Sequence, residues 1–187
     1  MTEIQNSKQY KRLLLKGGAV VFIDWANIHG WTKSLKREVD TEQLFRYLKS
    51  YSEIADIRLY FGEDEHPKSK EFLEKSQQTG YTVITKPVKN ILIAEIEGQK
   101  IYRRKCDFDM EVCIDAHAIL TKNQDIQSFV FFTGDSDYEP LYKMFIGLGR
   151  QVVVVYTTGH LGREIWAMKR GIFKVELKNL GEFWLRN

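Results

Sequence analysis

The chain has 187 residues, 43% of them hydrophobic and 28% charged, which fits one compact domain and excludes both wholesale disorder and a fold that depends on disulfide or metal staples. Lys and Arg number 28 against 25 Asp and Glu, a formal net charge of +3. The excess is local: residues 86–105 carry six basic and two acidic side chains, net +4, and the rest of the chain sums to −1.

In chain order, the first ten residues contain no apolar leader core, and no run approaches the roughly 18 apolar residues of a membrane span, so no membrane partner is expected. Ala19 to Asp24 is a continuous apolar run closed by an acid, as expected of a strand buried on both faces of a parallel sheet. Asp40 to Gln43 reads as a helix start leading into Leu44, Phe45 and Leu48. A second strand is expected over 54–61, a polar helix over 67–79 and a third strand over 81–85. The basic segment follows as a β-hairpin, 88–96 and 100–105 about a turn at Glu97 to Gln99, appended to the sheet. Its charge is the footprint of a polyanion-binding face, with Lys100, Arg103, Arg104 and Lys105 as candidates, or equally that of a plain solvated hairpin.

A helix is expected over 108–120 from the spacing of Met110, Cys113, Ile114, His117 and Ala118, then a fourth strand over 127–133. Gly134 to Asp137 leads into a helix ending near Leu148, followed by a fifth strand over 151–156, a helix over 161–169 and an edge strand over 172–177. Strands alternating with helices give an α/β fold. Cys106 and Cys113 form neither a CxxC nor a Cys/His cluster, so two free thiols and a reducing, cytoplasmic setting are expected.

Two acids stand where chemistry is expected in such a sheet. Asp24 ends the first strand and Asp135 follows the fourth by two residues; in open α/β sheets ligands bind outside the carboxyl ends of strands where strand order reverses. Asp137 lies two residues on, and Asp109 stands at a helix start. Clustered carboxylates without His or Cys select a hard cation, Mg²⁺ or Mn²⁺. Each acid alone also suits a helix N-terminus, and Ser136 to Glu139 reads as a capping box.

At these positions the sequence resembles the NYN domain family, in its LabA-like branch. Residues 22–28, FIDWANI, are similar to the family's first block; 105–116, KCDFDMEVCIDA, to its second; and 131–141, FFTGDSDYEPL, with Gly149 onward, to its third. Trp25 departs from the small or polar residue usual there. The step from Lys105 to Asp109 is one residue longer than the pattern, which leaves Asp107 as a rival, although the six residues from Asp109 to Asp115 favour Asp109.

The resemblance spans about 19–156 of a single domain over 1–187 and implies a PIN-like, Rossmann-like three-layer sandwich with a mostly parallel central sheet. It further implies metal-dependent hydrolysis of RNA, single-stranded by preference. Carried over, Asp24, Asp109 and Asp135 hold the metal, Asp137 serves a second metal or its water, and Asn27 orients a ligand. Asp115 lies 240° around the helix from Asp109 and is expected on a solvated face with Glu111. Trp25, Trp31 and Tyr102 are candidates either for base stacking or for ordinary packing. Ser136 makes a poor nucleophile, because no downstream His has a partnering acid motif. The rival reading is a catalytically silent PIN-like module that binds RNA or protein, and a homodimer is compatible with either.

Overall fold

The computed structural model describes residues 10–182 and 184–186; residues 1–9, read above as lacking a leader core, lie outside the described residues. The elements in order are β1 (Gly18–Asp24), α1 (Trp25–Leu35), β2 (Glu38–Val39), α2 (Thr41–Lys49), β3 (Ile54–Glu63), α3 (Pro67–Thr79), β4 (Thr82–Pro87), β5 (Lys89–Ile96), β6 (Gln99–Lys105) and α4 (Asp109–Lys122). They continue with β7 (Ile126–Phe132), a 3₁₀ turn (Ser136–Tyr138), α5 (Glu139–Gly147), β8 (Gln151–Tyr156), α6 (Arg163–Ala167), β9 (Ile172–Glu176), α7 (Leu177–Leu180) and β10 (Leu185–Arg186).

Six strands form one parallel sheet in the order β4-β3-β1-β7-β8-β9. The chain builds outward from β1 to β4 on one side, then returns to lay β7 against β1 and builds outward the other way. The β1/β7 boundary is therefore the switch point, with Ile23 beside Phe132 in register.

Both faces are covered, which is why β1, β7 and β8 read as near-continuous apolar runs. Ala19, Val21 and Ile23 of β1 join Ile28 and Trp31 of α1, Leu44 and Leu48 of α2, and Trp184 on one face. Val20 and Phe22, alternating with them, join Val112, Ala116 and Leu120 of α4 and Leu141, Tyr142 and Phe145 of α5 on the other.

The structure corrects two sequence expectations here. Helix α1 begins directly after Asp24, where only a strand end is expected. Of the two readings open for Trp31, packing is the one observed, since its side chain is completely buried. On α4, the residues facing the sheet are Val112, Ala116 and Leu120, whereas Met110 and Ile114 are exposed. The helix carries two apolar stripes. Its polar neighbours decide between them: Glu111 pairs with Lys86 of β4 at 2.7 Å and Asp115 with Arg58 of β3 at 2.9 Å, which turns the intervening Val112 stripe inward.

The hairpin forms as expected but as a separate two-stranded sheet, β5 antiparallel to β6. Glu97 and Gly98 both have positive φ, 51° and 80°, the type I′ geometry whose twist matches a two-residue hairpin turn.

Candidate active site

Asp24 closes β1 on the same side of the sheet as Val20 and Phe22, the side covered by α4 and α5. At 7% exposure it is the only buried carboxylate among the described residues. It also caps α1. Asn27 donates its backbone N–H to one Asp24 oxygen at 3.3 Å and its side-chain Nδ2 to the other at 2.9 Å. The Asp-x-x-Asn spacing thus builds a carboxylate with both oxygens held by one neighbour.

Asp135 sits beyond the end of β7 and is the N-cap of the 3₁₀ turn, accepting the backbone N–H of Asp137 at 3.0 Å. The cap expected at Ser136 is made instead by Asp135, one residue earlier, as a single hydrogen bond. Asp137 itself is exposed on the rim. Asp109 is the first residue of α4 and half-buried, while Asp107 is exposed and ion-paired with Lys105 at 3.0 Å. That pairing turns Asp107 toward the hairpin and leaves Asp109 facing the other two acids.

Burial pushes the Asp24 carboxyl above its usual range, against the hydrogen bonds from Asn27, and Asp135 adds to the rise. Burial likewise raises Asp109; the Tyr138 hydroxyl opposes this, and the charges of Asp135, Asp107 and Asp24 reinforce it. Three carboxylates therefore repel one another at the switch point.

No Lys, Arg or His forms an ion pair with Asp24, Asp109 or Asp135 among the described residues, although Asp56, Asp64, Asp107 and Asp115 are each paired with Arg58, Arg104, Lys105 and Arg58 respectively. The uncompensated set is an all-oxygen one and suits a hard divalent cation. Among the described residues, no three His, Cys, Asp or Glu side chains already stand at ligating separation, so an ion would have to draw the carboxylates inward.

The loop after β8 packs against both the Gly134 turn and α1. The Gly162 N–H donates to the Gly134 carbonyl at 2.7 Å, and His160 Nε2 lies 2.6 Å from Ser34 Oγ of α1. Ser136 packs beneath Gly162, where a Cβ would lie 2.6 Å from its own Cβ, and its side chain contacts Glu164. Trp25 is half-buried with its ring 4.7 Å from that of Phe72, a packing contact.

Asp115 is not on a solvated face. Its Oδ2 accepts from Arg58 Nη2 at 2.9 Å and from the Tyr60 hydroxyl at 2.8 Å, fastening α4 to β3. The four hairpin cations also divide. By register, Arg103 and Lys105 share one face with Ile91, whereas Lys100 and Arg104 share the other with the exposed Tyr102. Arg104 is ion-paired with Asp64, and Lys100 and Arg103 carry no ion pair among the described residues.

Sequence reasoning missed two tyrosines, Tyr138 and Tyr142. Both are fully buried, and neither hydroxyl completes a hydrogen bond, although that of Tyr138 is within reach of Asp109. Their four-residue spacing after Asp135 is the available signal, but buried helical aromatics ordinarily read as core.

A pH dependence follows from the raised carboxyls. An acid whose folded-state pKa is raised contributes stability that is complete below its ordinary value, 3.8 here, and is lost as pH rises through the raised value. In metal-free protein, the melting temperature of Asp109→Asn should therefore gain on that of the wild type as pH rises from acid to neutral. A difference that does not vary with pH would contradict the raised Asp109.

The family model for the NYN domain matches residues 18–167, a span that contains every acid of this site. The chain is 26% identical over 153 residues to the low amplitude and bright protein LabA of Synechococcus elongatus, covering 78% of this chain and 76% of that one. It also superposes on the crystal structure of a Vibrio parahaemolyticus protein of unknown function with a TM-score of 0.66, at 18% identity, over 88% of this chain and 96% of the other; that likeness is one of fold.

Proposed function

Because the chain belongs to the NYN domain family, whose members are PIN-like nucleases, we propose that it is a divalent-metal-dependent ribonuclease acting on single-stranded RNA. The observation that carries this reading is the trio Asp24, Asp109 and Asp135, crowded at the switch point without a protein cation. Asp24, Asp109 and Asp135 would hold Mg²⁺ or Mn²⁺, which when bound would activate water and offset the charge that builds on the phosphate. Asn27 keeps both Asp24 oxygens oriented, the 3₁₀ turn fixes Asp135, and the ties from Glu111 and Asp115 set the rotation of α4 that aims Asp109. Asp137, exposed on the rim, is available to a second ion or to water at the phosphate.

The β5–β6 hairpin, which leads directly into α4 and Asp109, supports an RNA path past the acids. Lys100 and Arg103 are free to meet phosphates, and Tyr102 offers an exposed ring for stacking. Arg104 and Lys105 can exchange their acidic partners for phosphate.

The test is cleavage of single-stranded RNA by the purified protein with Mn²⁺ or Mg²⁺, abolished by EDTA. RNA binding that is strongly salt-dependent yet never accompanied by cleavage would instead assign the silent binding module. Replacing Arg103 and Arg104 together by Ala should weaken RNA binding and flatten the plot of log affinity against log salt by roughly 0.7 per lost phosphate contact. An unchanged slope would move the nucleic-acid face elsewhere on the molecule.

A further inference from the structure

Tyr138 and Tyr142 lie four residues apart, on one face of the segment that runs from the 3₁₀ turn into α5. Their rings are nearly parallel, with centroids 6.2 Å apart and planes inclined by 24°, and both rest on Phe131 of β7. Each side chain is wholly buried, and each hydroxyl is shut off from water without a hydrogen-bond partner. Buried hydroxyls are almost always paired, so two adjacent unpaired ones need a reason.

The groups beside them supply it. The Tyr138 hydroxyl lies at the edge of hydrogen-bonding reach of the Asp109 carboxylate, with the charge of Asp24 nearby, and falls short of a full hydrogen bond. Around the Tyr142 hydroxyl lie Asp135, the Cys113 thiol and Asp24. Both O–H groups are thus within electrostatic reach of the same acidic cluster, Tyr138 beside Asp109 and Tyr142 with Asp135 as its foremost charged neighbour. A tyrosine at neutral pH donates its proton and a carboxylate accepts, so the pairing is chemically matched on both sides. Burial raises both phenols, which keeps them protonated as donors.

We propose that the Tyr138 and Tyr142 hydroxyls are positioning groups that donate to the Asp109 and Asp135 carboxylates when a divalent cation draws those carboxylates together. Each acid then offers one oxygen to the cation and the other to a tyrosine held rigidly by stacked rings. Hydrogen bonds from an outer layer of this kind orient metal ligands and are a large part of metal affinity. The proposal rests on the cation-site reading given above.

The test measures metal affinity rather than turnover. Mn²⁺ is titrated into metal-free wild type, Tyr138→Phe, Tyr142→Phe and the double variant, with free Mn²⁺ followed by electron paramagnetic resonance, and melting temperatures are recorded without metal. Each single variant should weaken Mn²⁺ binding by roughly tenfold or more. The metal-free melting temperature should stay level or rise, because Phe removes an unpaired buried hydroxyl while keeping the ring. A double variant that binds Mn²⁺ like wild type overturns the proposal and leaves the cation site standing. A fall in metal-free stability also overturns it, since the hydroxyls would then have partners within the protein. If wild type itself binds no Mn²⁺, the cation-site reading fails and takes this inference with it.

Discussion

Replacing Asp135 with Asn should abolish divalent-dependent RNA cleavage and leave the protein folded. The two outcomes separate because the proposed function gives Asp135 a second role beside the cap it makes. As the N-cap of the 3₁₀ turn it needs only a side-chain oxygen to accept the Asp137 N–H at 3.0 Å, and Asn caps about as well as Asp. As a cation ligand it needs its negative charge, which Asn lacks. Groups that merely orient metal ligands cost roughly 10–100-fold when removed, so the loss of a ligand itself should exceed that. Removing the charge also relieves Asp24 and Asp109, both of which Asp135 pushes toward the protonated state. Metal-free Asp135→Asn should therefore melt no lower than wild type. Cleavage that persists in this variant would trace to a contaminating nuclease and sink the functional assignment.

The largest loss of stability should come from Gly134→Ala. A Cβ built on Gly134 lies 1.4 Å from the His160 carbonyl oxygen and 2.6 Å from its carbon, so the obstacle is backbone and cannot rotate away. Either β7 or the loop over 157–162 must move, breaking the Gly162 N–H bond to the Gly134 carbonyl. Overpacking of a tight site costs roughly 1–3 kcal/mol and occasionally more. Taking the upper figure, the melting temperature should fall by roughly 6–12 °C for a chain of this size. Gly147→Ala is the matched control: a Cβ there meets nothing within 4 Å, and the residue closes α5. It should be neutral or slightly stabilising. Equal melting temperatures for the two variants would mean that the loop after β8 does not press on the Asp135 turn.

The sheet was legible because β1, β7 and β8 are buried on both faces and so appear as unbroken apolar runs, with Asp24 and Asp135 marking the carboxyl ends of β1 and β7. The pairing of β1 with β7, which makes those ends neighbours, depends on tertiary contacts that no local pattern records. Helix α1 was hidden because Asp24 serves both as strand end and as helix cap, and its buried stripe amounts to little more than Ile28 and Trp31. On α4 the sequence offers two apolar stripes, and the choice is made by Lys86 and Arg58, residues 25 and 57 positions away from their partners Glu111 and Asp115.

Between Asp107 and Asp109, spacing favoured Asp109 through the six-residue step to Asp115, and the Lys105 ion pair that holds Asp107 away is a contact the spacing does not record. Tyr138 and Tyr142 could not be singled out at all. A buried phenol and a buried phenyl occupy the same helical positions, and only the missing partner of the hydroxyl distinguishes them.

None of the residues from Lys89 to Lys105 is buried, and none belongs to either core cluster. The hairpin is thus an insertion in the crossover between β4 and α4 whose side chains the folding of the sheet does not constrain. Length, charge and apolar content there can drift without cost to the scaffold, while Asp24, Asp109 and Asp135 stay fixed by strand ends and helix caps. The acids are thus placed by the scaffold and the basic hairpin lies outside it, so a change in the one need not disturb the other.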